Sequence, residues 1–273
     1  MKLPSLLVLL AASSGVLVLA CEDKKTKEQE LLNKVGIEAG ATTATASVTG
    51  VNIVPPPVGS VTAAPSKPAK DCGTGDPPIE DKELEAELRT KTKPPKEAGA
   101  LTTKDLATVT SVNLTKKASL SEIDPCVFPK LPALRFLYLP KGEYRDLSPI
   151  KDLTKIEGLR ISISEVEDLK PLEKLTALDQ LDIGRTHVRD ISPLANNVNI
   201  TELQLDDTQV SDISVLAKMT KLQKLSIKNT LVKDVSPLKD LKQLKSLNVA
   251  GCAIENLNVL DAAKGRGLRI NTK

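Results

Sequence analysis

Five aspartates stand 22 residues apart, Asp146, Asp168, Asp190, Asp212 and Asp234, and carboxylates repeated at one interval have two chemical uses. Gathered on one line they could hold divalent cations. Placed just ahead of Ser-Pro-Leu, as in Asp190-Ile191-Ser192-Pro193-Leu194, each can instead accept hydrogen bonds from the backbone of a turn that Ser and Pro then open. The local sequence favours the turn role, so no metal is expected. Other chemistry is sparse. The one histidine, His187, cannot make a two-histidine zinc site and reads as solvated surface between Thr186 and Val188. There is no nucleophile elbow, phosphate loop or paired-cysteine zinc motif. Gly73-Thr74-Gly75 lies in a linker and reads as a turn. The chain is read as no enzyme, with no cofactor.

The aspartates are one position of a longer unit. Anchored at Leu175 it runs Leu175, Leu178, Leu181, Ile183, Thr186, Val188, Asp190, Ile191, Ser192, Pro193, Leu194. Steps of 22 lead to Ile200, Leu203 and Leu205, then to Leu222, Leu225 and Ile227, and finally to Leu241, Leu244 and Leu247. Backwards they find Leu153, Leu159 and Ile161, and before those Leu131, Leu137 and Leu139. This period and leucine spacing predict an α/β solenoid, a leucine-rich repeat horseshoe of 22-residue repeats with short parallel strands on its concave face.

Strand alternation then allows the concave face to be read by column. Leu181 and Ile183 point inward, while Gln180, Asp182 and Gly184 face out. The neighbouring rows are Phe136, Tyr138, Pro140, then Gly158, Arg160, Ser162, and after Gln180 the rows Glu202, Gln204, Asp206 and Lys224, Ser226, Lys228. Opposite charges become neighbours: Arg160 beside Asp182, Glu202 beside Lys224, Asp206 beside Lys228, and one position on, Arg185 beside Asp207. A self-compensated surface and a charged docking site both fit this pattern. All four aromatics lie between Phe128 and Tyr144, with Phe136 and Tyr138 on one face of one strand. They are either interface anchors or covered by the cap around residues 71–100. The first alternative makes Phe136, Tyr138, Arg160 and Asp182 the centre of a partner-binding patch. A formal net charge of +3 over 273 residues points to no particular partner and not to nucleic acid.

The chain's beginning is a different object. Lys2, an apolar run from Leu6 to Leu19, and Ala20-Cys21 read as a secretory signal over residues 1–21. Val18-Leu19-Ala20-Cys21 resembles a bacterial lipobox, which implies that Cys21 carries lipid and holds the protein on a membrane. Residues 22–78, rich in Ala, Thr, Val, Pro and Gly beyond Gly36, lack an apolar period and are expected to form a disordered tether.

Ahead of the repeats, residues 79–130 offer a helix over Asp81 to Arg89, the breaker Pro94-Pro95, a capping-box-like Thr102/Asp105 pair, and strand positions Val112 and Leu114 in a first repeat longer than 22 residues. This order resembles the N-terminal cap of internalin-like bacterial leucine-rich repeat proteins, and the resemblance covers roughly Ile79 to Lys273. It implies a helical cap before the repeats of residues 131–273, which close with a short strand at Leu268 and Ile270 and no obvious covering helix. Cys252 takes the inward position of Thr186, Thr208 and Thr230 and is expected to be a buried small residue. It lies several strand spacings of about 4.8 Å from Cys126, too far for a disulfide. Cys72 and Cys126 both belong to the N-terminal end and are expected to pair.

These readings converge on a non-enzymatic, lipid-anchored module of the bacterial cell envelope, the outer membrane favoured. Its partner is an unidentified protein or other envelope macromolecule, bound on the concave face; its second contact is the lipid bilayer through Cys21. The alternative is a rigid envelope spacer without a high-affinity ligand.

Overall fold

The computed structural model describes residues 70–73 and 75–273. The expected signal segment, lipidation at Cys21 and most of the expected tether lie outside the described residues. Eight parallel strands of three residues each stack in chain order into one open sheet: β1 Ser111–Asn113, β2 Phe136–Tyr138, β3 Gly158–Arg160, β4 Gln180–Asp182, β5 Glu202–Gln204, β6 Lys224–Ser226, β7 Ser246–Asn248 and β8 Arg269–Asn271. From β2 to β7 each residue pairs with the one 22 positions on, as Leu181 with both Leu159 and Leu203.

One continuous core results, because each turn carries too few apolar side chains to bury them alone. Leu175, Leu178, Leu181, Ile183, Val188, Ile191 and Leu194 of a single turn are all buried. Short 3-10 helices such as Ser192–Asn196 return the chain on the convex side. Each repeat aspartate accepts the backbone N–H two residues on: Asp146 from Ser148, Asp168 from Lys170, Asp190 from Ser192, Asp212 from Ser214 and Asp234 from Ser236, at 2.7–2.8 Å. The serine differs from its expected role. No side chain caps the 3-10 helix, and the Ser192 hydroxyl donates back to Asp190 at 2.9 Å, closing the same turn.

A second ladder runs inside. Ser164, Thr186, Thr208 and Thr230 are buried, and each hydroxyl donates to the carbonyl three residues back at 2.7–2.8 Å. Cys252 continues the column, but it is half-buried rather than buried, because only β8 lies beyond it. Its thiol reaches the Ile227 carbonyl at 2.8 Å. Next to this ladder the chain turns through left-handed residues at Ile163, Arg185, Asp207, Asn229 and Gly251, with φ of 61°, 55°, 56°, 54° and 72°.

The N-terminal cap is built from α1 (Lys82–Lys91) and α2 (Thr103–Leu106). Asp81 caps α1 by accepting from the N–H groups of Glu83 and Leu84, and Leu84 and Leu88 bury its inner face. Thr102 and Asp105 form a full capping box on α2. The Glu87 carboxylate accepts the Asn113 N–H at 3.0 Å, so α1 satisfies an edge donor that β1 would otherwise leave free. The folded part starts ahead of residue 79. Pro77 is buried, Asp76 accepts from the Thr103 N–H at 2.6 Å, and Cys72 is joined to Cys126 by a disulfide, Cα atoms 5.1 Å apart. At the other end a single helical turn, α3 (Asp261–Gly265), precedes β8 and buries Ala263, where no helix is expected from sequence.

Candidate binding face

Period-2 alternation divides the four aromatics. Phe128 and Tyr144 are core residues; burial pushes the Tyr144 phenol up to about 12, and it donates to the Pro140 carbonyl at 3.1 Å. Phe136 and Tyr138 bracket inward Leu137 and lie half-buried on the outer face of the sheet. Their rings stack with centroids 6.5 Å apart and planes 29° from parallel. Both lean over β3 at Gly158. A Cβ there would stand 2.8 Å from Phe136 Cδ1 and 3.1 Å from the Tyr138 hydroxyl oxygen, so the absent side chain makes the room the rings occupy.

Charged pairs flank the rings. Arg160 Nε lies 3.3 Å from the Asp182 carboxylate, and Ser162 bridges them, accepting from Arg160 at 3.0 Å and donating to Asp182 at 3.1 Å. All four residues of the expected patch therefore occupy three adjoining strands, β2 to β4. The structure adds two residues that the columns leave out. Arg135 makes a two-pronged contact with Glu157, both bonds 2.8 Å, and sets its guanidinium carbon 5.8 Å from the Phe136 ring centroid. Their signal was available: opposite charges 22 residues apart, one position before the strand. Of the other expected neighbours, Glu202 and Lys224 pair at 2.6 Å and Arg185 and Asp207 at 3.5 Å. Asp206 instead takes the Lys228 backbone N–H at 2.9 Å and the Ser226 hydroxyl.

Beside the patch, a groove of about 430 Å³ is lined by Lys141, Ile163, Glu165, Arg185, His187 and Asp207, among others. His187 is exposed as expected, yet it does not face solvent alone: its Nδ1 lies 3.2 Å from Glu165. The Asn229 amide, helped by the Arg185 guanidinium, holds the Asp207 carboxyl below its ordinary range against the opposing effect of burial. Ile163, one of the lining residues, is 40 % exposed, where the equivalent residues of later turns are polar or glycine.

The fold and this face define a leucine-rich repeat solenoid of internalin-like build. The family model described as Leucine Rich repeats (2 copies) matches residues 198–240 and 220–262. Among solved structures, an internalin (inlF) from Listeria monocytogenes is 29 % identical over 66 % of this chain and 52 % of its own, with a TM-score of 0.60. This chain thus spans about half of that one. Internalin C2 (inlC2) from the same organism is 24 % identical over 71 % and 93 %, TM-score 0.57. A leucine-rich repeat protein from Leptospira interrogans is 19 % identical over 56 % and 40 %, TM-score 0.51. The last two likenesses concern the fold alone. No curated protein matches the chain in sequence.

Proposed function

We propose that this chain is a non-enzymatic recognition module that binds a protein partner through Phe136 and Tyr138, with Arg160 and Asp182 as the polar margin. The carrying observation is the stacked aromatic pair, half-exposed over Gly158 and flanked on both sides by charges already paired with each other. An aromatic centre inside a self-satisfied polar rim is the composition of interface hot spots. Paired rim charges contribute little free energy of their own, roughly 0–1 kcal/mol for exposed pairs, and instead reject partners whose charges do not match. A stacked solenoid supplies the rigid, extended surface such a contact needs.

In the same proposal the module is held by lipid on Cys21 in the bacterial cell envelope, at the outer membrane. The Val18-Leu19-Ala20-Cys21 sequence supports that reading, and metabolic labelling with a palmitate analogue, lost in Cys21→Ser, tests it. The binding role is tested by placing a photo-crosslinking residue at position 138 in intact cells. A discrete protein adduct that disappears in Phe136→Ala supports recognition. A chain that forms no adduct there is the rigid spacer instead.

A further inference from the structure

The net charge of +3 conceals a division. Residues 217–273 carry twelve lysines and arginines against four acidic residues, while residues 70–216 carry 20 against 26. The rung partners differ in the same sense. In the earlier turns cations face carboxylates of the neighbouring turn: Arg135 with Glu157, Arg145 with Glu165, Arg160 with Asp182. In the last turns Lys224, Lys233 and Lys264 keep carboxylate partners, but the cations of one flank face neutral groups. Lys221 Nζ donates to the Asn199 amide oxygen at 2.7 Å, Lys245 Nζ to the Gln223 amide oxygen at 3.1 Å, and Arg266 to the Lys239 carbonyl at 3.4 Å. An amide orders a lysine without cancelling its charge.

These residues share one flank. Segments 218–221, 239–245 and 264–269 are the successive stretches that lead from the convex side into β6, β7 and β8. Lys218, Lys221, Lys239, Lys242, Lys245 and Arg266 are all exposed, and among the described residues none has a carboxylate within ion-pair distance. Asp240 is the one acid within the three segments. Adjacent turns repeat at about 4.8 Å, so the cations form a dense array on a rigid support.

We propose that this flank docks on the phosphate headgroups of an anionic lipid surface. Several juxtaposed Lys/Arg side chains without matching acids attract such a surface. The form of the site argues against other polyanions. The groove at Ile163 and the shallow cavity between Ser148 and Lys174 are lined by other residues, and the flank presents its cations as an open, exposed array. No aromatic residue follows Tyr144, which leaves nothing for nucleic-acid bases to stack on. The surface is distinct from the aromatic patch, and its failure would leave the proposed partner-binding role standing.

The test uses the full chain carrying Cys21→Ser, sedimented with phosphatidylcholine vesicles with and without phosphatidylglycerol. The quantity read is the gain in binding that phosphatidylglycerol causes. The inference predicts a gain that shrinks with added salt and falls at least about tenfold in the variant Lys218→Gln/Lys221→Gln/Lys242→Gln/Lys245→Gln. The matching Lys→Arg variant should retain it, and Lys170→Gln/Lys174→Gln on the earlier turns should leave it unchanged. Circular dichroism melting verifies that each variant is folded. A gain that survives the quadruple glutamine change overturns the inference. So does binding that ignores phosphatidylglycerol while a soluble sulfated polysaccharide is retained by the same four lysines.

Discussion

The ring of Phe136 lies against that of Tyr138 with 6.5 Å between centroids, and the two close over a glycine on the next strand. Because the contact depends on the missing side chain at position 158, Gly158→Ala should push the rings apart while leaving both present. We expect it to weaken binding of the crosslinked partner to the otherwise unmodified protein in the same direction as Phe136→Ala and Tyr138→Ala. Each aromatic truncation should remove about 2 kcal/mol or more of binding, roughly thirtyfold. Thermal melting should change little, since the rings lie on the sheet surface and not in its core.

The hydroxyl ladder makes a stability prediction. Thr208 is buried and its hydroxyl is donated to the Leu205 carbonyl at 2.7 Å. Thr208→Val keeps the shape and removes the donor, which should cost about 1–2 kcal/mol in urea unfolding. Leu181→Ala, in the core of β4, should cost about 2–5 kcal/mol by the same measurement.

The bond between Cys72 and Cys126 closes a loop of sequence separation 54. Chain-entropy reasoning gives such a closure about 4 kcal/mol. Reduction with dithiothreitol, or Cys72→Ser, should therefore lower the melting temperature, and hydrogen exchange should locate the gain in mobility at α1 and residues 70–78 rather than at β4 to β7.

Acid should act on the N-terminal cap and on the repeat turn at Asp234. The hydrogen bond from Lys96, then those from Thr102, hold the Asp105 carboxyl well below the usual carboxylate range. Burial opposes ionisation of Asp81, but bonds from Lys117 and the Leu84 N–H outweigh it and lower its pKa as well. Backbone and hydroxyl bonds from Ser236 do the same to Asp234. A carboxyl whose folded pKa is depressed stabilises the protein above its unfolded pKa near 4, and that stabilisation is lost as pH falls. Melting temperature should be flat between about pH 7 and 5 and decline below about pH 4. Asp105→Asn should lower it at neutral pH and shrink the decline.

Ile163 occupies a left-handed conformation that a β-branched residue adopts only at a cost of roughly 1–2 kcal/mol. Asn229 fills the equivalent place three turns on. Ile163→Asn should raise stability by about 1 kcal/mol in chemical unfolding, with no change in the sheet.

Periodicity made most of this architecture legible. Once Leu181, Leu203 and Leu225 return every 22 residues, inward and outward positions follow, and Arg160 must stand beside Asp182. What the period does not contain was harder to read. Gly158 stands in the outward column and Arg135 lies 22 residues from Glu157, but the part each takes in the aromatic patch comes from ring geometry, which residue types do not record. Helix α3 is a single turn without a side-chain cap, below the length at which an apolar period shows. The left-handed column hides because its residues, Ile163, Arg185, Asp207 and Asn229, share a backbone angle and no chemistry. The basic flank was averaged away by a whole-chain charge; only division by turns separates it.

Photo-crosslinking in intact cells from position 138, compared with position 174 on the convex side, tests the recognition role most directly. A discrete protein adduct from position 138, lost in Phe136→Ala and absent from position 174, is the predicted result. Identical adducts from both positions, or an adduct from 138 indifferent to Phe136→Ala, would contradict binding through the aromatic face.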